Sequence, residues 1–406
     1  MTNTLKRLNS LEEKILSCVA IGDCRGALKG SYKKPILEIT CPLRDHGSGF
    51  ESSFARGRFS IARALLERRI LPSEGLAEVI YQCTLCGSCR EVCNNPENPC
   101  MTISAKENIG DHVEIWENLR SDLVDANVAP MPRHKELIKH QRKEHNPYFE
   151  NHKDRLNWIL KDLKYLPKGG DAFFFVGCTS AYRLDEISTS FLEIANKSKI
   201  SLTVSPDERC CGSINLRTGT EALFKEYVEY NNQLFENSEI EKIVTTCSGC
   251  YKTLSQDYPK YLDSWNFQVL HSLEMIDEAI SQGNLKIKEK VNGIITYHDP
   301  CHLGRHSGIY DAPRNVIDAI KKDEFVEMRR NKKYSYCCGA GGGVKSAFPD
   351  LALEIALDRL KEAEETGADY LTSSCPFCLN NLREATTIFK TQLKVVDLLE
   401  LVKKVI

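Results

Sequence analysis

RCCGS (209–213) and YCCGAGGG (336–343) place two cysteines side by side twice in one chain, and the purpose of that doubling decides how the rest is read. Adjacent cysteines rarely bond to each other, because the small ring they would close strains both the peptide and the sulfur geometry. Each pair sits inside a longer pattern. A lone cysteine stands before it and a CxxC after it, which gives Cys178, Cys210, Cys211, Cys247, Cys250 and then Cys301, Cys337, Cys338, Cys375, Cys378. The two leading cysteines, 178 and 301, lie roughly 120 positions apart, so the chain carries an internal repeat of five cysteines per unit.

The flanking text is duplicated as well. DAFFFVGC and IEKIVTTCSGC in the first copy correspond to GIITYHDPC and ADYLTSSCPFC in the second. Each cysteine is preceded by a short β-branched or aromatic run bounded by turn residues, which predicts a buried strand. Between them, EALFKEYVEYNNQLFE and LALEIALDRLKEAEE repeat apolar residues at three- and four-residue intervals and predict helices. Alternating strand and helix predict a mostly parallel sheet in each copy. The cysteines then fall at the carboxyl edge of the sheet, where α/β folds place ligands, and at helix starts, where the dipole favours thiolates.

Length and composition suit such a chain. It has 406 residues, 42% hydrophobic and 27% charged, with a formal net charge of −2. That is a soluble, multidomain composition with no general field for nucleic acid, although KELIKHQRKEHN (135–146) is locally basic and reads as a solvated face or linker. No apolar run is long enough to span a bilayer, and MTNTLKRLNSLEEKIL is not a signal peptide, so the expectation is a cytoplasmic protein that meets a membrane only through a partner. In a reducing compartment, 18 cysteines are better explained by metal ligation than by disulfides.

A structural zinc site on four of the five cysteines is the competing account of each set, but the fifth thiol would then be idle in both copies. The repeated surplus favours a larger iron–sulfur cluster, in which adjacent sulfurs bind different irons or bridge two. Gly212 and Gly339 allow the backbone to turn beside it. AGGG (340–343) lacks the GxxxxGK[ST] pattern of a phosphate loop.

The amino-terminal CTLCGSCREVC carries Cys83, Cys86, Cys89 and Cys93 in the CxxCxxCxxxC spacing of bacterial-type ferredoxins, whose fourth cysteine serves a second cluster. A degraded partner motif is found at Cys18 and Cys24, with Ile21 in the middle position, and at Cys41 before Pro42. Cys41 is thus the candidate to complete a [4Fe-4S] cubane with Cys83, Cys86 and Cys89. Cys18, Cys24 and Cys93 leave a site for a [3Fe-4S] cluster, or for a [4Fe-4S] cluster if Cys100 supplies the missing ligand. Cys18 and Cys24 can also be read as ordinary buried thiols.

VGCTSAYR, TTCSGCYKTL, YHDPCHLGRH, CCGAGGG and SCPFCLNN, taken with the two five-cysteine units, make the chain resemble the catalytic subunit of heterodisulfide reductase and related iron–sulfur subunits of glycolate, lactate and glycerol-3-phosphate oxidising complexes. The resemblance implies an α/β protein: a helical two-cluster ferredoxin-like module at 1–105, a helical linker at 106–169, and two CCG domains at 170–288 and 289–406. It implies that each five-cysteine set binds a noncubane [4Fe-4S] cluster and that the pair reduces a small-molecule disulfide. The chain has no GxGxxG nucleotide motif of its own, so electrons are expected from a flavoprotein, hydrogenase-type or cytochrome-b-type subunit. His302, next to Cys301, is the candidate proton donor, with tuning of the cluster as its equal alternative. An electron relay between a flavin dehydrogenase and a quinone or cytochrome is the competing function. A zinc-stabilised scaffold is the third.

Overall fold

All strand pairings are parallel in the described part of the computed structural model, which comprises residues 5–20, 22, 24, 41–94, 111–159 and 163–406. The chain divides into two units. The first is Met1–Glu136, Ile214–Glu221 and Arg329–Arg359, and the second is Leu137–Ser213, Ala222–Met328 and Leu360–Ile406. No described helix is long and apolar enough to cross a membrane.

The second unit holds both sheets. The first sheet has the order β2-β1-β3-β4, with β1 Ala172–Phe175, β2 Leu202–Thr203, β3 Lys242–Thr245 and β4 Gln268–His271. The other runs β5-β6-β7, with β5 Ile295–Tyr297, β6 Tyr370–Ser373 and β7 Lys394–Asp397. All four runs expected to precede Cys178, Cys247, Cys301 and Cys375 are strands, namely β1, β3, β5 and β6. A parallel strand covered on both faces reads as a continuous apolar run, and Phe173, Phe174 and Phe175 in β1 are all fully buried. Phe173 packs edge-on against Phe235 at 5.1 Å between ring centres, and Phe174 against Phe191 at 4.9 Å. Burial of each such ring contributes roughly 2 kcal/mol.

The duplication is visible in the connections. β4 ends at His271, which caps the helix Ser272–Ser281 through a reciprocal bond with Glu274, and β7 ends at Asp397, which caps Leu398–Val405 in the same way with Glu400. The copies differ at one edge. In place of β2, the second has single parallel bridges, Val291 to Lys321 and Ile295 to Phe325.

The helices read from three- and four-residue spacing are Glu221–Glu236 and Pro349–Glu364. The basic stretch near 135–146 lies largely on the helix Pro132–Glu144. Gly212 and Gly339 both have left-handed backbones, φ +79° and +87°, and a Cβ on Gly339 would fall 2.3 Å from the carbonyl oxygen of Ala352.

Among the described residues the first unit contains no strand. Its core joins Leu8, Ile15, Phe59, Ile80, Tyr81, Trp116 and Leu119 from the helices Lys6–Ser10, Glu12–Leu16, Ala55–Leu66, Glu74–Tyr81 and His112–Asp125. Arg7 ties the first helix to Asp122 and Asp125, and the Leu8 amide donates to the buried carboxylate of Asp122 at 2.8 Å.

Candidate cluster sites

In the second unit the five cysteines of the first set form one buried group with two of the second. Cys178 begins the helix Cys178–Tyr182 just beyond β1, and Cys247 caps Ser248–Lys252 just beyond β3. Cys375 caps Pro376–Phe389 beyond β6, with Pro376 at the first turn, where no intrahelical bond needs its missing N–H. The thiols run in a chain of contacts: Cys178 to Cys210, Cys210 to Cys211, Cys211 to Cys250 at 3.4 Å, Cys250 to Cys247, Cys247 to Cys375, and Cys375 to Cys378.

Such crowding splits the proton affinities. Hydrogen bonds from Cys210 and Cys250 pull Cys211 down to about 6, and those from Cys247 and Cys378 hold Cys375 well below an ordinary thiol. Cys178 is pushed up by its bond with Cys210 and by burial. None of the seventeen described cysteines forms a disulfide. A dense set of buried sulfurs with partly ionised members, unbridged by oxidation, fits the donor chemistry of an iron–sulfur centre.

Two groups that the cysteine pattern does not announce brace this set. Arg155 is fully buried, pairs with the equally buried Glu208, and brings Nη1 to 3.8 Å from Cys178 Sγ. The Glu208 carboxylate also accepts from the amides of Val176 at 2.7 Å and Gly177 at 2.9 Å, the two residues leading into Cys178. The only sign of this in the sequence is an acid two residues before the cysteine pair, and nothing there marks Arg155 as its partner.

Cys301 follows β5 and is half-buried, as are His302 and His306. The Cys301 sulfur and a ring nitrogen from each histidine lie within 4.8 Å of one another. His302 Nδ1 also lies against the backbone of Gly249, inside the first copy's CSGC. Ser248 Oγ donates to Ser374 O at 2.7 Å, and His271 Nε2 lies 3.1 Å from the same oxygen, so the two CxxC turns are fastened to each other. Arg305 is buried.

Cys337 and Cys338 belong to the first unit, where both are buried. The same unit contains a pocket lined by Cys41, Cys83, Cys86 and Cys89 together with Arg58, Thr84, Val113 and Trp116. Cys41, far from the others in sequence, is thus brought to them. Burial raises its thiol to about 12, against the pull of Arg58. Cys24 and Cys93 lie in the neighbouring core, and Cys18 packs against it. Cys100 and Ile21 lie outside the described residues.

Cys337 Sγ contacts Thr84 Oγ1 at 3.4 Å, which puts the second CCG turn against the wall of that pocket. Arg120 fixes the arrangement. It is fully buried, lies 4.6 Å from the Tyr81 ring centre, and donates to the carbonyls of Ile80, Cys83, Arg217 and Gly342 at 2.7–2.9 Å. Of the basic residues just before Cys337, Lys332 and Lys333 lie toward solvent, whereas Arg330 is buried 3.8 Å over the Tyr336 ring.

Comparison with known proteins places this geometry. Residues 172–255 and 295–383 match the cysteine-rich domain family CCG. The chain is 36% identical over 357 residues to a subunit of the dihydromethanophenazine:CoB–CoM heterodisulfide reductase of Methanosarcina mazei, covering 86% of this chain and 84% of that one. It is likewise 36% identical over 342 residues to the same subunit from Methanosarcina barkeri, covering 82% and 80%. The probable iron-sulfur-binding oxidoreductase FadF of Bacillus subtilis is 30% identical over 80% of this chain and 46% of its own length. With two matching CCG repeats, buried sulfurs at the carboxyl edges of parallel strands and this similarity over most of its length, the chain belongs to the heterodisulfide reductase family of iron–sulfur oxidoreductases.

Proposed function

We propose that this chain is the disulfide-reducing component of a multisubunit complex. Cys178, Cys210, Cys211, Cys247 and Cys250 hold one noncubane [4Fe-4S] cluster, and Cys301, Cys337, Cys338, Cys375 and Cys378 hold the other. Cys41, Cys83, Cys86 and Cys89 hold a cubane in a ferredoxin-like module. Cys18, Cys24 and Cys93, with or without Cys100, hold a further [3Fe-4S] or [4Fe-4S] centre. Bound there, these clusters supply one-electron transfer from a partner's donor and iron sites for the two sulfurs of a mixed disulfide.

The observation that carries this reading is the unbroken chain of buried thiols from Cys178 to Cys378. It links the first set to the CxxC of the second, as a substrate with two joined sulfurs requires. Disulfide reduction consumes two electrons and two protons and releases two thiols. His302, half-buried beside Cys301 and against Gly249, is positioned to give one of those protons. The contact of Cys337 with Thr84 supports entry of electrons from the cubane pocket into the second set.

The test is anaerobic. The isolated complex, supplied with a reduced viologen, should reduce mixed disulfides of thiol coenzymes, the CoB–CoM heterodisulfide among them. The isolated chain should carry iron and acid-labile sulfide. Iron-loaded chain that passes electrons to a quinone analogue and reduces no disulfide would establish the relay instead, and a colourless zinc protein would sink both readings.

A further inference from the structure

Arg58 lies on the helix Ala55–Leu66, is 1% exposed, and lines the pocket of Cys41, Cys83, Cys86 and Cys89. Its bonding is poor for a buried cation. Nη2 donates to the carbonyl of Val79 at a long 3.4 Å, and Nε has no partner. Among the described residues no carboxylate pairs with it. Arg120, another buried guanidinium of this unit, shares the unpartnered Nε, but its two Nη atoms donate to four carbonyls at 2.7–2.9 Å and it lies over an aromatic face. Trp116, which lines the same pocket, is also buried with an unpartnered Nε1.

A buried guanidinium without a counter-charge is strongly unfavourable, and proteins tolerate it where an anion completes the site. The groups of this pocket that become anionic when they bind a metal are its four cysteine sulfurs. We infer that Arg58 is a positioning residue for the cubane, a fixed counter-charge that raises its reduction potential by compensating the negative charge gained with one electron. The step takes one electron from a low-potential donor and moves no proton. Net charge is one of the protein's levers on such a potential, and Arg58 supplies a fixed positive charge in the wall of the pocket. This rests on the reading that the four cysteines bind a cluster.

The test uses the full chain, loaded anaerobically and titrated with dithionite and mediators while its EPR signals are followed. The relevant signal is the one that disappears in Cys86→Ser. Arg58→Gln should keep that signal and move its midpoint negative by about 59 mV or more, a tenfold change in the reduced-to-oxidised ratio of a one-electron couple. Arg58→Lys should stay within a threefold change. Loss of the signal in Arg58→Gln with retention in Arg58→Lys would equally support the counter-charge. An unchanged midpoint in Arg58→Gln, or a lysine variant indistinguishable from the glutamine one, overturns it. If the parent chain has no signal sensitive to Cys86→Ser, the cluster reading itself fails, a result told apart because it appears before any change at Arg58.

Discussion

The first cysteine of each CCG copy follows a parallel strand, yet the two are braced by opposite devices. At Cys178 the acid comes from the CCG turn, as Glu208, and the base from outside the repeat, as Arg155, whose guanidinium reaches to within 3.8 Å of the sulfur. At Cys301 the acid is Asp299, two residues upstream. Its partner Arg314 belongs to the same copy, donating to Asp299 at 2.9 and 3.0 Å and to Glu327 at 2.6 and 3.0 Å. The first copy turns a buried cation toward its sulfur. The second holds its cation between two carboxylates and offers histidines instead. Duplication preserved the cysteines, and divergence of what surrounds them made the two sites electrically unequal.

The largest effect should come from the ligands. Cys211→Ser removes the sulfur that accepts from two neighbours and should abolish disulfide reduction and the iron of the first set, well beyond the ten- to hundredfold typical of an outer-shell change. Iron analysis and turnover check it. If Cys211→Ser retains full iron, the first set does not use all five cysteines.

Next come the acids. Glu208→Ala strands a buried guanidinium and two amides, and should destabilise the chain by about 3–5 kcal/mol. Asp299→Ala leaves Arg314 its bond to Glu327, which is about a third exposed, and should cost roughly half as much. Chemical denaturation of both variants, compared at the same iron content, measures the difference. Equal losses would mean that the two braces are equivalent after all.

These braces mark where sequence reading stops. The strands are legible because FFF and IVT are continuous apolar runs that only a doubly covered parallel strand needs, and the cysteines stand out because they recur at spacings that metal ligands take. Cys41 can be assigned to the pocket because the ferredoxin pattern demands a cysteine before a proline. Arg155 and Arg58 obey no spacing. A buried guanidinium is defined by what surrounds it in three dimensions, and FARGRFSIARAL reads as an amphipathic helix whichever arginine points inward. The replacement of a β2 counterpart by bridges at Lys321 and Phe325 is hidden for a similar reason, since edge strands have weak apolar patterns.

His302 lies beside Cys301, as Arg155 lies beside Cys178. As a proton donor its loss in His302→Asn should lower turnover by about 10²–10⁴-fold while leaving cluster potentials within experimental scatter. If it tunes the centre instead, the potential moves and the turnover falls only in proportion. Rate and EPR titration on the same sample separate the two.

The smallest effect sharpens the comparison most. Arg155→Lys keeps the charge opposite Glu208, but a lysine's single ammonium cannot serve the carboxylate and the Cys178 sulfur together as the planar fork does. The fold should survive, since the ion pair remains, and iron affinity at the first set should fall by about ten- to hundredfold. The matching change, Arg314→Lys, removes a fork that bridges two carboxylates and should leave iron retention at either set within about twofold, because its role is structural. Iron retained by each variant under graded chelator is the measurement. If Arg314→Lys sheds iron as readily as Arg155→Lys, the second copy also couples its brace to its leading cysteine, and the asymmetry argued from Cys178 and Cys301 is only a difference in how the same support is built.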